Sequence, residues 1–101
     1  MLLTTTGSLQ EARHLAQVIL KEKAAGCVTL IPKIESWYWW QGKLEQADEF
    51  LLFIKTSRTR LNSLSKLIKT KHSYEVPELI ALPVEWGSSD YLKWLRESMT
   101  A

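Results

Sequence analysis

Residues 35–56 read Glu-Ser-Trp-Tyr-Trp-Trp-Gln-Gly-Lys-Leu-Glu-Gln-Ala-Asp-Glu-Phe-Leu-Leu-Phe-Ile-Lys-Thr, and this stretch decides the fold. Aromatic and β-branched residues favour a pleated strand. Gln41-Gly42 marks a turn, because glycine reaches positive φ without steric cost. The pattern predicts two long antiparallel strands joined by a tight hairpin. Side chains alternate along a strand, so Trp37 and Trp39 share one face while Ser36, Tyr38 and Trp40 share the other. Both faces carry large rings, and a small domain has one core. A second surface is therefore expected to cover the hairpin, and another subunit is the natural cover.

Outward from the hairpin, the run Phe50-Leu51-Leu52-Phe53-Ile54 suits a strand buried on both faces in the middle of a sheet. On the other side, Cys27–Ile31 begins a strand that Pro32 interrupts with a bulge or an edge, since proline cannot donate to a ladder. Met1–Thr6 reads as a first strand. Ser8-Leu9-Gln10-Glu11 fits a capping box. Leu9, Ala12, Ala16, Ile19, Leu20 and Lys23 then recur at helical spacing, predicting a helix over 9–24 that stops at Ala25-Gly26. Ser57 is expected to cap a second helix with Leu61, Leu64, Leu67 and Ile68 as its apolar stripe. Val76-Pro77 is extended, and Glu78–Val84 reads as a fourth strand with Pro83 as a second interruption. Ser88 or Ser89 caps a last helix whose apolar face holds Tyr91, Leu92, Trp94 and Leu95. The order is strand, helix, strand, strand, helix, strand, helix. It predicts an α+β, ferredoxin-like split βαβ sandwich (βαββαβ plus a C-terminal helix) over residues 1–101 as a single domain. Helices cover one sheet face and leave the other to a partner.

Ser36-x-Tyr38-x-Trp40-x-Gly42 is followed by Glu49 before an apolar run ending Lys55-Thr56. Then come His72-x-Tyr74-x-x-Pro77-Glu78 and, near the C-terminus, Tyr91-Leu92-x-Trp94. In this order and at these distances the chain resembles the CutA family, the divalent-cation tolerance proteins. The resemblance covers nearly the whole chain. It implies a homotrimer in which sheets meet around a three-fold axis and long hairpins bridge subunits. It also implies a role in divalent-cation, and specifically copper, tolerance.

Bulk composition narrows the alternatives. Hydrophobic residues at 46% and charged residues at 24% are ordinary for a soluble globular protein. The single Cys27 excludes an intrachain disulfide and points to no oxidising compartment. No apolar run reaches the ~18 residues of a membrane span. No basic region followed by a long apolar stretch opens the chain, so neither membrane nor signal peptide is expected, and the cytoplasm is the expected compartment. The segment from Lys55 to Lys71 holds basic residues and no acidic ones. They are dispersed around an amphipathic helix, and the net charge is only +2, so a solvated face is expected rather than nucleic-acid binding.

A tight copper or zinc site needs several nitrogen or sulfur ligands within about 2.0–2.3 Å of the ion. With two histidines and one cysteine, the chain offers His72 as its candidate ligand and Cys27 as a remote second. The alternative for His72 is a helix C-terminal histidine bonded to backbone carbonyls, and for Cys27 a small hydrophobe in the core. The resemblance implies that members implicated in copper binding can show a first-strand cysteine and paired histidines. Here Thr4 or a neighbour occupies that strand and Lys71 precedes His72, so any Cu²⁺ or other divalent cation is expected to bind weakly. Tyr38, Trp40, Glu49, Lys55, Tyr74, Glu78 and Trp94 form the second constellation, with His72 beside it. The resemblance places their counterparts in clefts between subunits. Such groups suit a small ligand, or else they pair and pack to staple the trimer. Lys55 could hold an anion or pair with Glu49 or Glu78. No nucleophile motif or phosphate-cradling glycine loop is present, so the protein is not expected to be an enzyme. The alternative function is a PII-like trimeric signalling or interaction module that binds a small anionic effector without a specific metal.

Overall fold

The computed structural model describes residues 1–100. Their elements are β1 (Leu2–Thr6), α1 (Leu9–Lys21), β2 (Cys27–Trp40), β3 (Lys43–Lys55), α2 (Leu61–Lys71), β4 (Ile80–Ala81) and α3 (Ser89–Ser98). The sheet order is β2-β3-β1-β4, with every neighbouring pair antiparallel. This is the ferredoxin-like α+β arrangement. The hairpin turn is as expected: Gln41 at φ 51° and Gly42 at φ 79° give the two successive left-handed residues of a type I′ turn.

The β2–β3 register explains which hairpin rings go where. Leu30 pairs with Leu52 and Ile31 with Leu51, but the next pair is Ile34 with Glu49. One extra residue sits in β2 at Pro32-Lys33, and Lys33 takes φ 53°. A one-residue bulge reverses the facing of everything beyond it. Val28 and Leu30 face the helices with Leu52 and Ile54. Simple alternation would send Ser36, Tyr38 and Trp40 to that same face. The bulge instead puts them on the open face with Glu49, and it sends Trp37 and Trp39 to the other.

Leu2 of β1 and Leu52 and Ile54 of β3 pack against Ala12, Leu15 and Ile19 of α1 and Leu64 and Ile68 of α2. Each fully buried aliphatic side chain contributes ~1.5–3 kcal/mol of transfer free energy. Leu15 takes the inward position that the sequence assigned to Leu20, which is 39% exposed. The expectation that β3 is central holds, but Leu51 and Phe53 are only half-buried, since they face away from the side on which α1 and α2 pack.

Three element ends differ from expectation. The Ser8 hydroxyl caps α1 by accepting from the Glu11 N–H, as expected. The helix stops earlier, at Lys21. Ala24 N–H donates to Ile19 O and Lys23 N–H to Leu20 O, a Schellman arrangement with Lys23 left-handed at φ 59°. Gly26 serves close approach instead: a Cβ there would lie 2.7 Å from Leu95 Cδ1 and 2.9 Å from Leu95 O of α3. Ser57 caps nothing with its side chain, because a 3₁₀ turn at Arg58–Arg60 precedes α2. The fourth strand is only Ile80–Ala81, extended by a reciprocal pair between Leu82 and Met1. Pro83, lacking an N–H, ends it. Ser88 caps α3 through Tyr91 N–H.

Candidate functional site

At the root of the hairpin, on the open sheet face, lies a concavity of about 560 Å³. Tyr38 and Trp40 of β2 line it with Tyr74 from the segment after α2, and Trp37 borders it although alternation puts that ring on the opposite strand face. Its acidic lining is Glu49, Glu75 and Glu78, and Thr5, Ser36 and Val76 complete the walls. The size falls within the usual range for small-ligand sites, roughly 300–1,000 Å³.

A chain of hydrogen bonds sets Tyr74. His72 closes α2, and its Nε2 lies 2.6 Å from Thr5 O. That bond requires a proton on Nε2, so Nδ1 is free to accept from Tyr74 N–H at 3.0 Å. Glu11 of α1 accepts from Ser73 N–H and Ser73 Oγ, tying the segment to the first helix. The Tyr74 ring stacks at a tilt on His72, with centroids 4.8 Å apart, and its hydroxyl donates to Glu49 Oε2 at 2.8 Å. Gly7 makes room for this: a Cβ there would sit 3.1 Å from Tyr74 Oη.

Electrostatically the cleft is anionic. Glu49 is only 7% exposed, and its donor is a neutral phenol. Burial, then the hydrogen bond and charge of Glu49, push the Tyr74 phenol well above its ordinary value of 10.0. Burial, then the Glu49 charge, push the Glu78 carboxyl up from 4.5. Among the described residues the one His, Lys or Arg nitrogen within 4.0 Å of a carboxylate is His72 Nδ1, 3.6 Å from Glu11 Oε2, so none of the three cleft carboxylates has a basic partner at that range.

The structure brings together Tyr38, Trp40, Glu49, Tyr74 and Glu78 of the expected constellation. Lys55 and Trp94 lie elsewhere in the chain. Lys55 is six residues along β3 from Glu49, about 20 Å at ~3.4 Å per residue, so it does not pair with Glu49. Its Nζ instead donates to Thr29 Oγ1 at 3.3 Å and sits 5.9 Å from the centroid of the Tyr91 ring, which neighbours Trp94. Thr5, Ser36, Trp37, Glu75 and Val76 join the cleft without having been named among its residues. Ser36 carried a signal, since it alternates with Tyr38 and Trp40.

The metal expectation meets a poor donor set. Both ring nitrogens of His72 are engaged within the chain, so an ion there would have to break one of the two bonds. Cys27 is half-exposed rather than buried, because it opens a strand at the sheet's edge, with Sγ 3.9 Å from Thr29 Oγ1. It pairs with Lys55, whereas His72 bonds at the level of Thr5 and Leu51, about 13 Å away along the strands at ~3.3 Å per residue. Among the described residues no group of three His, Cys, Asp or Glu side chains is placed to hold a metal ion. These residues do not fit a closed nitrogen–sulfur site within one chain. No helix among them is long and apolar enough to cross a membrane.

Comparison with known proteins agrees with this architecture. The model of the family described as CutA1 divalent ion tolerance protein matches residues 1–98. A rice protein named Protein CutA 1, chloroplastic, is 45% identical over 93% of this chain; the chain spans about half of that relative's length, 53%. Divalent-cation tolerance protein CutA of Escherichia coli (strain K12 / DH10B) is 42% identical over 98% of this chain and 88% of its own length. The solved structure of the periplasmic divalent cation tolerance protein CutA from Archaeoglobus fulgidus superposes with a TM-score of 0.95. It is 35% identical, covering 98% of this chain and 96% of that one.

Proposed function

This chain belongs to the CutA1 divalent ion tolerance protein family, and on that premise we propose that it acts without catalysis, as a homotrimer that answers divalent cations by binding them weakly at the cleft. The cytoplasm, expected from the sequence, is part of this proposal; the names of the rice and Archaeoglobus relatives assign those proteins to the chloroplast and the periplasm. The observation that carries the reading is Glu49, a nearly buried carboxylate in an open cleft with a neutral donor and no counter-ion among the described residues. An arriving cation relieves its repulsion with Glu78. Cu²⁺ held through carboxylates and water, without nitrogen or sulfur, would be held weakly.

The hairpin supports the assembly. Trp37 is 65% and Trp39 73% exposed, and Leu44, which pairs with Trp39, is exposed with them; Ile80 on the opposite edge strand is exposed as well. Exposed apolar surface of this kind marks an interaction site. A second and third copy covering it would make the cleft an intersubunit one. The PII-like alternative needs an anion, which the carboxylate-lined cleft repels; it would rest on Lys55 with Tyr91 and Trp94 at the far end of the sheet.

Calorimetric titration with Cu²⁺ tests the proposal. Glu49→Gln should lower the affinity by about tenfold, equivalent to ~1.4 kcal/mol. A Cys27→Ser variant, changed at the far end of β2 from the cleft, should bind as the parent does. Equal binding by parent and Glu49→Gln, or loss of binding in Cys27→Ser alone, overturns it. A Lys55→Ala change that abolishes binding of an anionic metabolite would favour the alternative.

A further inference from the structure

We infer that the cleft takes an organic cation: an ammonium or guanidinium group carried on a small apolar body. This deepens the preceding reading and rests on it, since it assigns a ligand class to the same site.

Shape and charge argue together. The cavity, about 560 Å³, is on the order of twenty times the ~30 Å³ share of one liquid water. A bare metal ion would leave most of it wet. Metal binding also wants several oxygen, nitrogen or sulfur ligands converging on one point, and among the described residues no such trio exists. Glu49, Glu75 and Glu78 line the cavity. Trp37, Tyr38, Trp40 and Tyr74 line it with them. Ring faces carry partial negative charge and attract weakly hydrated cations, more strongly where water is excluded. Metal ions hold their water too tightly to use such walls, whereas an alkylammonium gives its water up cheaply.

Glu49 supplies the directional element. Its side chain is nearly buried, it lines the cavity, and Oε2 is already taken by the Tyr74 hydroxyl. An N–H donor entering the cleft would give this carboxylate its charged partner, in a charge-assisted bond. The lining residues that this chain supplies include no lysine, arginine or histidine, so none of them competes for that place or welcomes an anion.

The test uses the assembled protein and four probes at constant ionic strength: n-butylammonium, tetramethylammonium, n-butyrate and Cu²⁺. Binding is read by calorimetry and by tryptophan emission. The ammonium ions should bind, raise the melting temperature and quench emission, and butyrate of similar size should not. Glu49→Gln should weaken n-butylammonium by about tenfold. Glu75→Gln, at an exposed position that folding does not need, should weaken it by a smaller factor. Butyrate binding as tightly as butylammonium, or ammonium binding that neither substitution alters, overturns the inference. If Cu²⁺ binds in a Glu49-dependent way while the ammonium ions do not, the organic cation fails and the cleft survives. If no probe depends on Glu49, both fall.

Discussion

Removing one oxygen, in Tyr74→Phe, isolates the bond on which the cleft is built. The hydroxyl donates to Glu49 Oε2 at 2.8 Å. A hydrogen bond to a charged acceptor contributes ~1.5–3 kcal/mol net, and the half-buried ring argues for the low end, about 1.5 kcal/mol. The loss also leaves the nearly buried Glu49 without its donor, so the cost should not fall below that figure. For a domain of this size ~1 kcal/mol moves Tm by about 4–8 °C, giving a fall of roughly 6–12 °C. Urea unfolding at one fixed protein concentration measures it, because assembly makes stability concentration-dependent. A double-mutant cycle with Glu49→Leu separates the pair from its surroundings and should return a coupling energy above ~1 kcal/mol. Additive single effects, within ~0.3 kcal/mol, would refute the reasoning. An alkaline signature accompanies the bond. The folded phenol titrates above its ordinary 10.0, so stability from it is fully present below pH 10 and is lost as pH rises through the folded value. Tyr74→Phe should flatten that alkaline loss.

Glu78 gives the complementary pH test. Its carboxyl is raised from 4.5, so its favourable contribution is present below pH 4.5 and lost as pH climbs through the folded value; Glu78→Gln should be more stable than the parent at pH 7 and equal to it near pH 4, and a loss at both would refute this. His72→Ala leaves Thr5 O and Tyr74 N–H without partners and should cost about 3 kcal/mol in urea unfolding; a change under ~1 kcal/mol would show that the histidine is not an anchor. Lys23→Gly places the residue suited to φ 59° at the end of α1 and should stabilise by about 1 kcal/mol, whereas destabilisation would contradict the Schellman reading.

The hairpin and central strand were legible because Gln41-Gly42 and the run Phe50–Ile54 each have one cheap backbone solution. The bulge was legible as an event at Pro32, but not in its consequence, since proline marks where a ladder breaks and not how many residues are spare. That consequence determines which side Tyr38 and Trp40 take. Lys55 and Glu49 stand six extended residues apart on β3, so within one chain they do not meet, and the grouping needs a second copy to bring them together. The early stop of α1 had no sequence signal, because lysine is not the usual left-handed residue and Gly26 offered a false one. Glu75 and Val76 join the cleft because Tyr74 is anchored by His72, a long-range bond to Thr5 that no local pattern reveals. His72 looked like a ligand for the same reason: a polar side chain after a helix does not announce that its partners lie in the first strand.

Sedimentation velocity, followed together with tryptophan emission, tests the account most directly. It predicts a particle of three times the 11.7 kDa chain mass, with indole emission shifted toward that of buried rings. On dilution into single chains, Trp37 and Trp39 should become accessible to a soluble quencher as the melting temperature falls. A folded particle at the mass of one chain, its tryptophans fully quenched, would contradict it.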